Sequence, residues 1–495
     1  MSRIIIQNGN MCELDLPLKF AQKLYNEFAI RHPNAFYLRT RQRGMQNWDG
    51  KIHYITKTGQ FKIGLLPKVY ERCIEMGIKP KVVDMRQPLP KVSKVVTNIG
   101  KYKLRPEQEK AVKAVINNRI GDIPFHIGVL DYTVNAGKTL IMSSLYLTYK
   151  KQLKTLLITN DSDWLNQARE EFKQYLPGED ITFVQGKVLT WSNFTIGMVQ
   201  SISRNMRFYQ KELSQIDMVL IDEADQGGSK QYQNVITRLF NTRIRIGLSG
   251  TIYMSKLAKD RVKNMNLECF FGKVLAEFKL KDSIKKGYST KTIVKMVPGK
   301  PWYGNWESDC ISYKEIYDDS ITENNTAWTM AYNRLRWNIN QGRYPALVVC
   351  KHISHCENLY EFFKERLGDA YNIAYVHVNT PSKLRQQIMK DFREGKIDIL
   401  VSTTIIARGK NFPKLRYLLN AASMDSQEKS IQFLGRLVRT DKSKKKVYLD
   451  DLHYPGPYLD RHGKHRKQYY QRQELKVILL DKLWKKHPNH SLIKS

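Results

Sequence analysis

Short apolar runs that end in polar residues recur along most of this chain. KTLLITN (154–160), FTIGMVQ (194–200), MVLIDEAD (218–225) and IRIGLSGT (244–251) are four of them, with helical patterns in between. A strand that is apolar throughout has both faces covered, so this alternation predicts a parallel sheet flanked by helices. The pattern restarts near residue 345 with ALVVC, NIAYVHV, IDILVST, YLLNAA and KKVYLD, which predicts a second α/β domain in tandem. Residues 1 to about 95 have another texture. RIIIQ and KIHYIT are short β-rich runs, one amphipathic helix covers roughly residues 16–30, and turns fall at Asn47-Trp48-Asp49-Gly50 and Thr58-Gly59. The proline-bearing stretch MRQPLPKVSKVV (85–96) is expected to be a linker. The expected organisation is a small α+β module over 1–95, α/β domains over 96–285 and 286–452, and a basic helical extension over 453–495.

Composition adds a partner to this outline. The 495 residues carry a formal net charge of +35, and 42% hydrophobic content supports folded cores. A protein this basic meets a polyanion, and nucleic acid is the first candidate. The excess is spread out, with 17 Lys/Arg against 7 Asp/Glu in residues 1–100 and 14 against 6 in residues 441–495. No apolar run approaches the roughly 18–20 residues needed to cross a bilayer. The opening MSRIIIQNGNMCELDL lacks the apolar core of a signal peptide, so a reducing, cytoplasmic setting is expected. The cluster Cys350, His352, His355 and Cys356 packs four potential ligands into seven residues at a strand-to-helix turn. Structural zinc sites use separated ligand pairs, and no zinc is expected here.

Chemistry enters at DYTVNAGKTL (131–140), which follows the apolar IGVL and precedes a helical pattern. Strand, tight loop with Gly137-Lys138-Thr139, then helix is the setting of a phosphate-binding loop. Backbone N–H groups of Asn135, Ala136, Gly137 and Leu140 and the helix N-terminus would attract phosphate. Lys138 would reach the β- and γ-phosphates of ATP, and Thr139 would ligate Mg²⁺. The match is incomplete, because Tyr132 stands where a first glycine is usual. Some 80 residues on, Asp222 and Glu223 end the apolar run MVLI. Two adjacent carboxylates at a buried strand end are costly without a cation. Asp222 is therefore expected to hold Mg²⁺, and Glu223 to orient the attacking water and accept its proton.

Together these segments resemble the superfamily 2 helicases, in the expected motif order over roughly residues 100–450. The resemblance implies two tandem RecA-like parallel-sheet motor domains. KLRPEQEKAV (103–112) is similar to the segment before the phosphate loop, which places Arg105 and Gln108 at the nucleotide, Gln108 on the adenine edge. LLITNDSDWLNQ (156–167) and GMVQSISR (197–204), with Arg204, resemble strand-contacting motifs. GLSGT (247–251) resembles the coupling motif, with Ser249, Gly250 and Thr251. VSTTIIARGKNFP (401–413) supplies Thr403 and Gly409. IQFLGRLVRT (431–440) supplies Gln432, Arg436 and Arg439, with Arg439 the expected arginine finger and Arg436 a second γ-phosphate contact.

Asp222-Glu223-Ala224-Asp225 spells the signature of the DEAD-box RNA helicases. That family pairs it with Ser-Ala-Thr and His-Arg-x-Gly-Arg, where this chain has Ser-Gly-Thr and Gln432-x-x-Gly435-Arg436. The fourth acid, Asp225, is therefore expected to be incidental, and the motor is expected to be of the wider DExD type. RQRGMQNWDGKIHYI (41–55) and YLDRHGKHRKQYYQRQE (458–474) resemble the flanking segments of the phage UvsW-type recombination helicases. That resemblance implies an ATP-dependent, phage-encoded, monomeric motor on branched or duplex DNA. Arg39, Arg41, Arg43 and Lys51 would then be phosphate contacts, which position without reading sequence. An RNA helicase and the motor of a restriction-type nuclease remain alternatives.

Overall fold

The computed structural model describes the chain except residues 1, 42–44, 46, 93, 150–151, 187–189, 254–259, 300–311, 408–411, 442 and 481–495. It divides into two compact units, Met1–Phe278 and Lys279–Ser495.

The first unit opens with a mixed sheet of β1 (Arg3–Ile6), β2 (Met11–Asp15), β3 (Gln60–Lys62) and β4 (Lys81–Asp84), ordered β3-β2-β1-β4. The helix predicted near residues 16–30 runs over Leu18–Glu27 and buries Leu24. Behind it lies an all-parallel sheet of seven strands: β5 (His126–Tyr132), β6 (Thr155–Thr159), β7 (Ile181–Val184), β8 (Phe194–Met198), β9 (Met218–Asp222), β10 (Ile244–Ser249) and β11 (Val274–Phe278). Their order is β7-β8-β6-β9-β10-β5-β11. Every residue of β5, β6, β9 and β10 is buried. Each Val, Leu or Ile so placed contributes about 1.5–3 kcal/mol relative to exposure, which is why unbroken apolar runs became central strands.

One hydrophobic core runs from Ile4 and Ile6 in the small sheet to Ile127 and Val129 in the large one, and takes in Phe270 and Phe271 of the helix Arg261–Phe271. Arg245 of β10 reinforces this join. It is fully buried and donates to Gly9 O at 2.6 Å, Asn10 Oδ1 at 2.7 Å and Phe270 O at 3.2 Å. Burial, then the charge of Arg86, lowers its pKa to about 9. The N-terminal module is thus bolted to the sheet it precedes.

The second unit repeats the plan. β12 (Lys291–Pro298), β13 (Ala346–Cys350), β14 (Ile373–Val376), β15 (Ile399–Thr403), β16 (Tyr417–Asn420), β17 (Lys446–His453) and β18 (Lys476–Leu479) form a seven-stranded sheet ordered β14-β15-β13-β16-β17-β12-β18. All its pairings are parallel. The expected basic tail is more than a helix. Its helix Leu459–Arg472 buries Arg466 and Tyr470, and the chain then adds β18 beside β12. Arg466 donates to Asp451 at 2.9 Å and to Leu452 O at 2.9 Å, while Tyr470 Oη donates to Asp451 at 2.7 Å. This segment is part of the second domain's core.

Candidate active site

Ligands of open parallel sheets gather at the carboxyl ends of the strands. In the first unit those ends carry the phosphate loop after β5, Asn160 after β6, Asp222 on β9 and Ser249 on β10. The loop between Tyr132 and Lys138 is tight. Asn135 and Gly137 take positive φ (64° and 72°), and the helix Lys138–Tyr149 starts directly after them. Gly137 is required twice over, since a Cβ there would lie 2.3 Å from Gln108 Nε2.

Gln108, expected at an adenine edge, also braces the phosphate loop. It is fully buried, its Nε2 donates to Ala136 O at 2.8 Å, and its Oε1 accepts from Arg105 N–H at 2.9 Å. Arg105 donates from its guanidinium to Asn135 O at 3.2 Å. Both residues therefore brace the phosphate loop from behind, and Gln108 keeps a second Nε2 proton and a second Oε1 lone pair for a base.

Opposite the loop stands an acidic cluster. Asp222 is buried, and among the described residues its Oδ1 has no hydrogen-bond partner. Burial raises its pKa, against the pull of the Lys138 charge. Glu223 has left-handed backbone (φ 53°) and a pKa raised to about 8, by burial first and then by Asp222 and Asp225, with Lys138 opposing. Tyr232 Oη is buried beside these acids without a hydrogen-bond partner among the described residues. An orphaned carboxylate oxygen among acids that repel one another suits a divalent cation, so the residues present fit Mg²⁺ at Asp222. Thr139, second residue of the loop's helix, is half-buried and belongs to the same strand end.

The expectation for Asp225 needs correction. Its side chain is buried and accepts a 2.7 Å hydrogen bond from Ser249 Oγ. Ser249 Oγ also lies 3.1 Å from Thr251 Oγ1 and accepts from Thr251 N–H at 3.1 Å. The fourth acid is thus wired to the coupling motif. Spelling rules missed this because β9 and β10 become neighbours only in the sheet. Gly250 has its own reason to differ from alanine: a Cβ would sit 3.1 Å from Tyr132 O and Thr133 Cα, pressing on the root of the phosphate loop.

Three amides missed by the sequence reading link Glu223 to the neighbouring strand ends. Gln226 Nε2 donates to Glu223 Oε2 at 3.3 Å, Asn160 Nδ2 donates to Gln226 Oε1, and Gln200 Nε2 donates to Asn160 O at 3.3 Å. Asn160 and Gln200 lie in the two segments that resemble strand-contacting motifs. Arg204 is exposed at the end of the short helix Val199–Arg204.

In the second unit, Thr403 ends β15 and is buried. Gln432 and Arg436 lie on the helix Gln427–Leu437, both half-buried, and Arg439 follows its end, also half-buried. The carbonyl of Arg439 accepts from Thr290 Oγ1 at 3.1 Å. Gly409 lies outside the described residues. In the N-terminal module Arg39, Arg41 and Lys51 are exposed, while Arg43 lies outside the described residues. Trp48 is half-buried, and its indole N–H donates to Lys51 O at 2.9 Å.

Two family models match the chain. The res subunit of type III restriction enzymes matches residues 101–254, and the helicase conserved C-terminal domain matches residues 331–441. Among curated proteins, "Putative helicase 22" of a Sulfolobus islandicus filamentous virus is 23% identical over 71% of this chain and 64% of its own length. The chain thus spans somewhat less than two thirds of that relative. The ATP-dependent DNA helicase UvsW of Enterobacteria phage T4 is 22% identical over 82% of each chain. Yeast Dbp5 bound to RNA shares the fold with a TM-score of 0.52 and 14% identity, covering 78% of this chain and 93% of its own.

Proposed function

From the premise that this chain is an ATP-dependent helicase of superfamily 2, related to phage UvsW, we propose that it is a DNA motor acting on branched or duplex DNA. The observation that carries the ATPase is the strand-end cluster of Lys138, Asp222 and Glu223 against a braced phosphate loop. Lys138 binds the β- and γ-phosphates, and the loop's N–H groups and the helix N-terminus hold them. Thr139 and Asp222 would hold Mg²⁺, which would supply charge neutralisation for the phosphates. Glu223 orients a water and accepts its proton, its raised pKa suiting a base near neutral pH. Ser249 and Asp225 tie the β9 end to the coupling motif, and the resemblance to superfamily 2 helicases gives Arg439 and Arg436 the role of supplying transition-state charge. An arginine in that role is worth roughly 10³–10⁵ in rate.

DNA is favoured by the departures from the DEAD-box pattern, the match to a restriction-enzyme motor and the relative named a DNA helicase. The charge of +35 supports sequence-independent phosphate binding, with Arg39, Arg41, Arg43, Lys51 and Arg204 as contacts. ATP turnover measured with single strand, duplex, fork, four-way junction and RNA of matched length tests the reading. Stimulation by forks or junctions well above RNA supports it, and stimulation by RNA alone overturns it.

A further inference from the structure

The NWDG turn of the N-terminal module builds a cavity that the ATPase reading leaves unused. Asp49 Oδ1 accepts from Lys51 N–H at 2.9 Å, and Asp49 Oδ2 pairs with His53 at 2.7 Å. Gly50 has φ 76° and its carbonyl accepts from His32 N–H at 2.8 Å. A Cβ at residue 50 would lie 3.1 Å from the Ala35 Cβ, so the floor stays open only because both residues are small. Above that floor lies a cavity of about 530 Å³ lined by Arg31, Phe36, Arg39, Thr40, Asp49 and Lys51, with Ala35 and Gly50 beneath. That volume falls within the roughly 300–1,000 Å³ of small-ligand sites.

The lining is unusual for a structural hollow. Arg31, Arg39 and Lys51 are all exposed, and among the described residues no carboxylate pairs with either arginine. The one acid, Asp49, is held by the turn itself. Phe36 is 80% exposed on the helix Ala35–Arg41, and next to it Tyr37 is 54% exposed under the Arg41 guanidinium at 5.1 Å. An aromatic left in water beside unpaired cations offers a ring for a base and charges for its phosphates.

We propose that this cavity receives an unpaired nucleotide of a nucleic-acid strand, its base stacked on Phe36 and its phosphates held by Arg31, Arg39 and Lys51. The assignment rests on the nucleic-acid reading above and narrows it, giving the N-terminal module a grip on unpaired strand rather than on uniform duplex. Deoxyribose and ribose strands carry the same recognised groups, so the test includes both.

Binding of fluorescent single-stranded DNA, RNA and an abasic phosphodiester of equal length to the full chain tests the site. Phe36→Ala should weaken the base-bearing strands by roughly 5- to 150-fold and leave the abasic strand within twofold. Arg31→Ala and Lys51→Ala should weaken all three, each lowering the salt slope by about one. These side chains are exposed, so their loss leaves the fold standing. Wild-type binding that all three variants retain within twofold overturns the cavity and spares the motor reading. If the wild type binds none of the strands at about 50 mM salt, the nucleic-acid reading falls first and the cavity with it.

Discussion

Ser249 Oγ donates a 2.7 Å hydrogen bond to Asp225 Oδ1, joining the carboxylate motif to the coupling motif across two adjacent buried strands. A hydrogen bond to a buried carboxylate is worth roughly 1.5–3 kcal/mol. Neither group belongs to the set that handles the phosphates. Ser249→Ala is therefore expected to keep ATP turnover within about threefold and to lower strand separation by more than tenfold. Parallel ATPase and strand-displacement assays check this, and equal losses in both would refute the coupling role.

Lys138→Ala and Glu223→Gln should lower turnover by at least about 10²-fold while leaving DNA affinity near wild type. Single-turnover hydrolysis and oligonucleotide binding separate the two quantities. Retained turnover in either variant would sink the site assignment.

The brace behind the phosphate loop makes a separate prediction. Gly137→Ala drives a Cβ into Gln108 and asks a non-glycine residue to hold φ 72°, so nucleotide binding should fail. Gln108→Ala releases the loop without a clash and should raise the ATP KM by roughly tenfold, with kcat less affected. Titration with a fluorescent ATP analogue distinguishes the cases. An unchanged KM in Gln108→Ala would show that the brace carries no binding energy.

Gln226 holds the Glu223 carboxylate and is itself held by Asn160. Removing it in Gln226→Ala frees Glu223 from the neighbouring strand end. The expected result is a smaller ratio of DNA-stimulated to basal turnover, with the half-saturating DNA concentration unchanged. A wild-type ratio would mean that the amides only pack.

A pH effect on stability should arise in the second unit. Burial, then the charge of neighbouring His352, lowers the His355 pKa to about 3, and its Nδ1 is buried without a partner among the described residues. The unfolded chain binds this proton near 6.5 and the folded chain does not, so folding is opposed once pH drops below about 6.5. The loss grows by up to about 1.4 kcal/mol per pH unit towards pH 3 and is absent above 6.5. Burial likewise lowers His462, to about 4, with the same sign. Urea midpoints at pH 7.5 and 5.5 should therefore differ more in wild type than in His355→Leu. Equal pH dependence would refute the assignment.

The sequence by itself determined the two sheets and the chemical identity of the site. Runs such as MVLID and ALVVC are apolar on both faces, and strands covered on both sides of a parallel sheet satisfy that pattern. Lys138, Asp222 and Glu223 were legible because their spacing around strand ends is a local property. The tertiary structure decided what depends on neighbours distant in the chain. Asp225 gained its meaning from Ser249, 24 residues away, and Gln108 turned towards Ala136, 28 residues away. The basic C-terminal segment is expected from its sequence to be a helical extension, yet Arg466 is buried against Asp451 and β18 completes a sheet edge. Charge composition cannot foresee such burial, because a buried arginine is stable only when its partners arrive with the fold. The same holds for the N-terminal cavity, where NWDG shows a turn in the sequence and the packing of Gly50 on Ala35 makes it a floor.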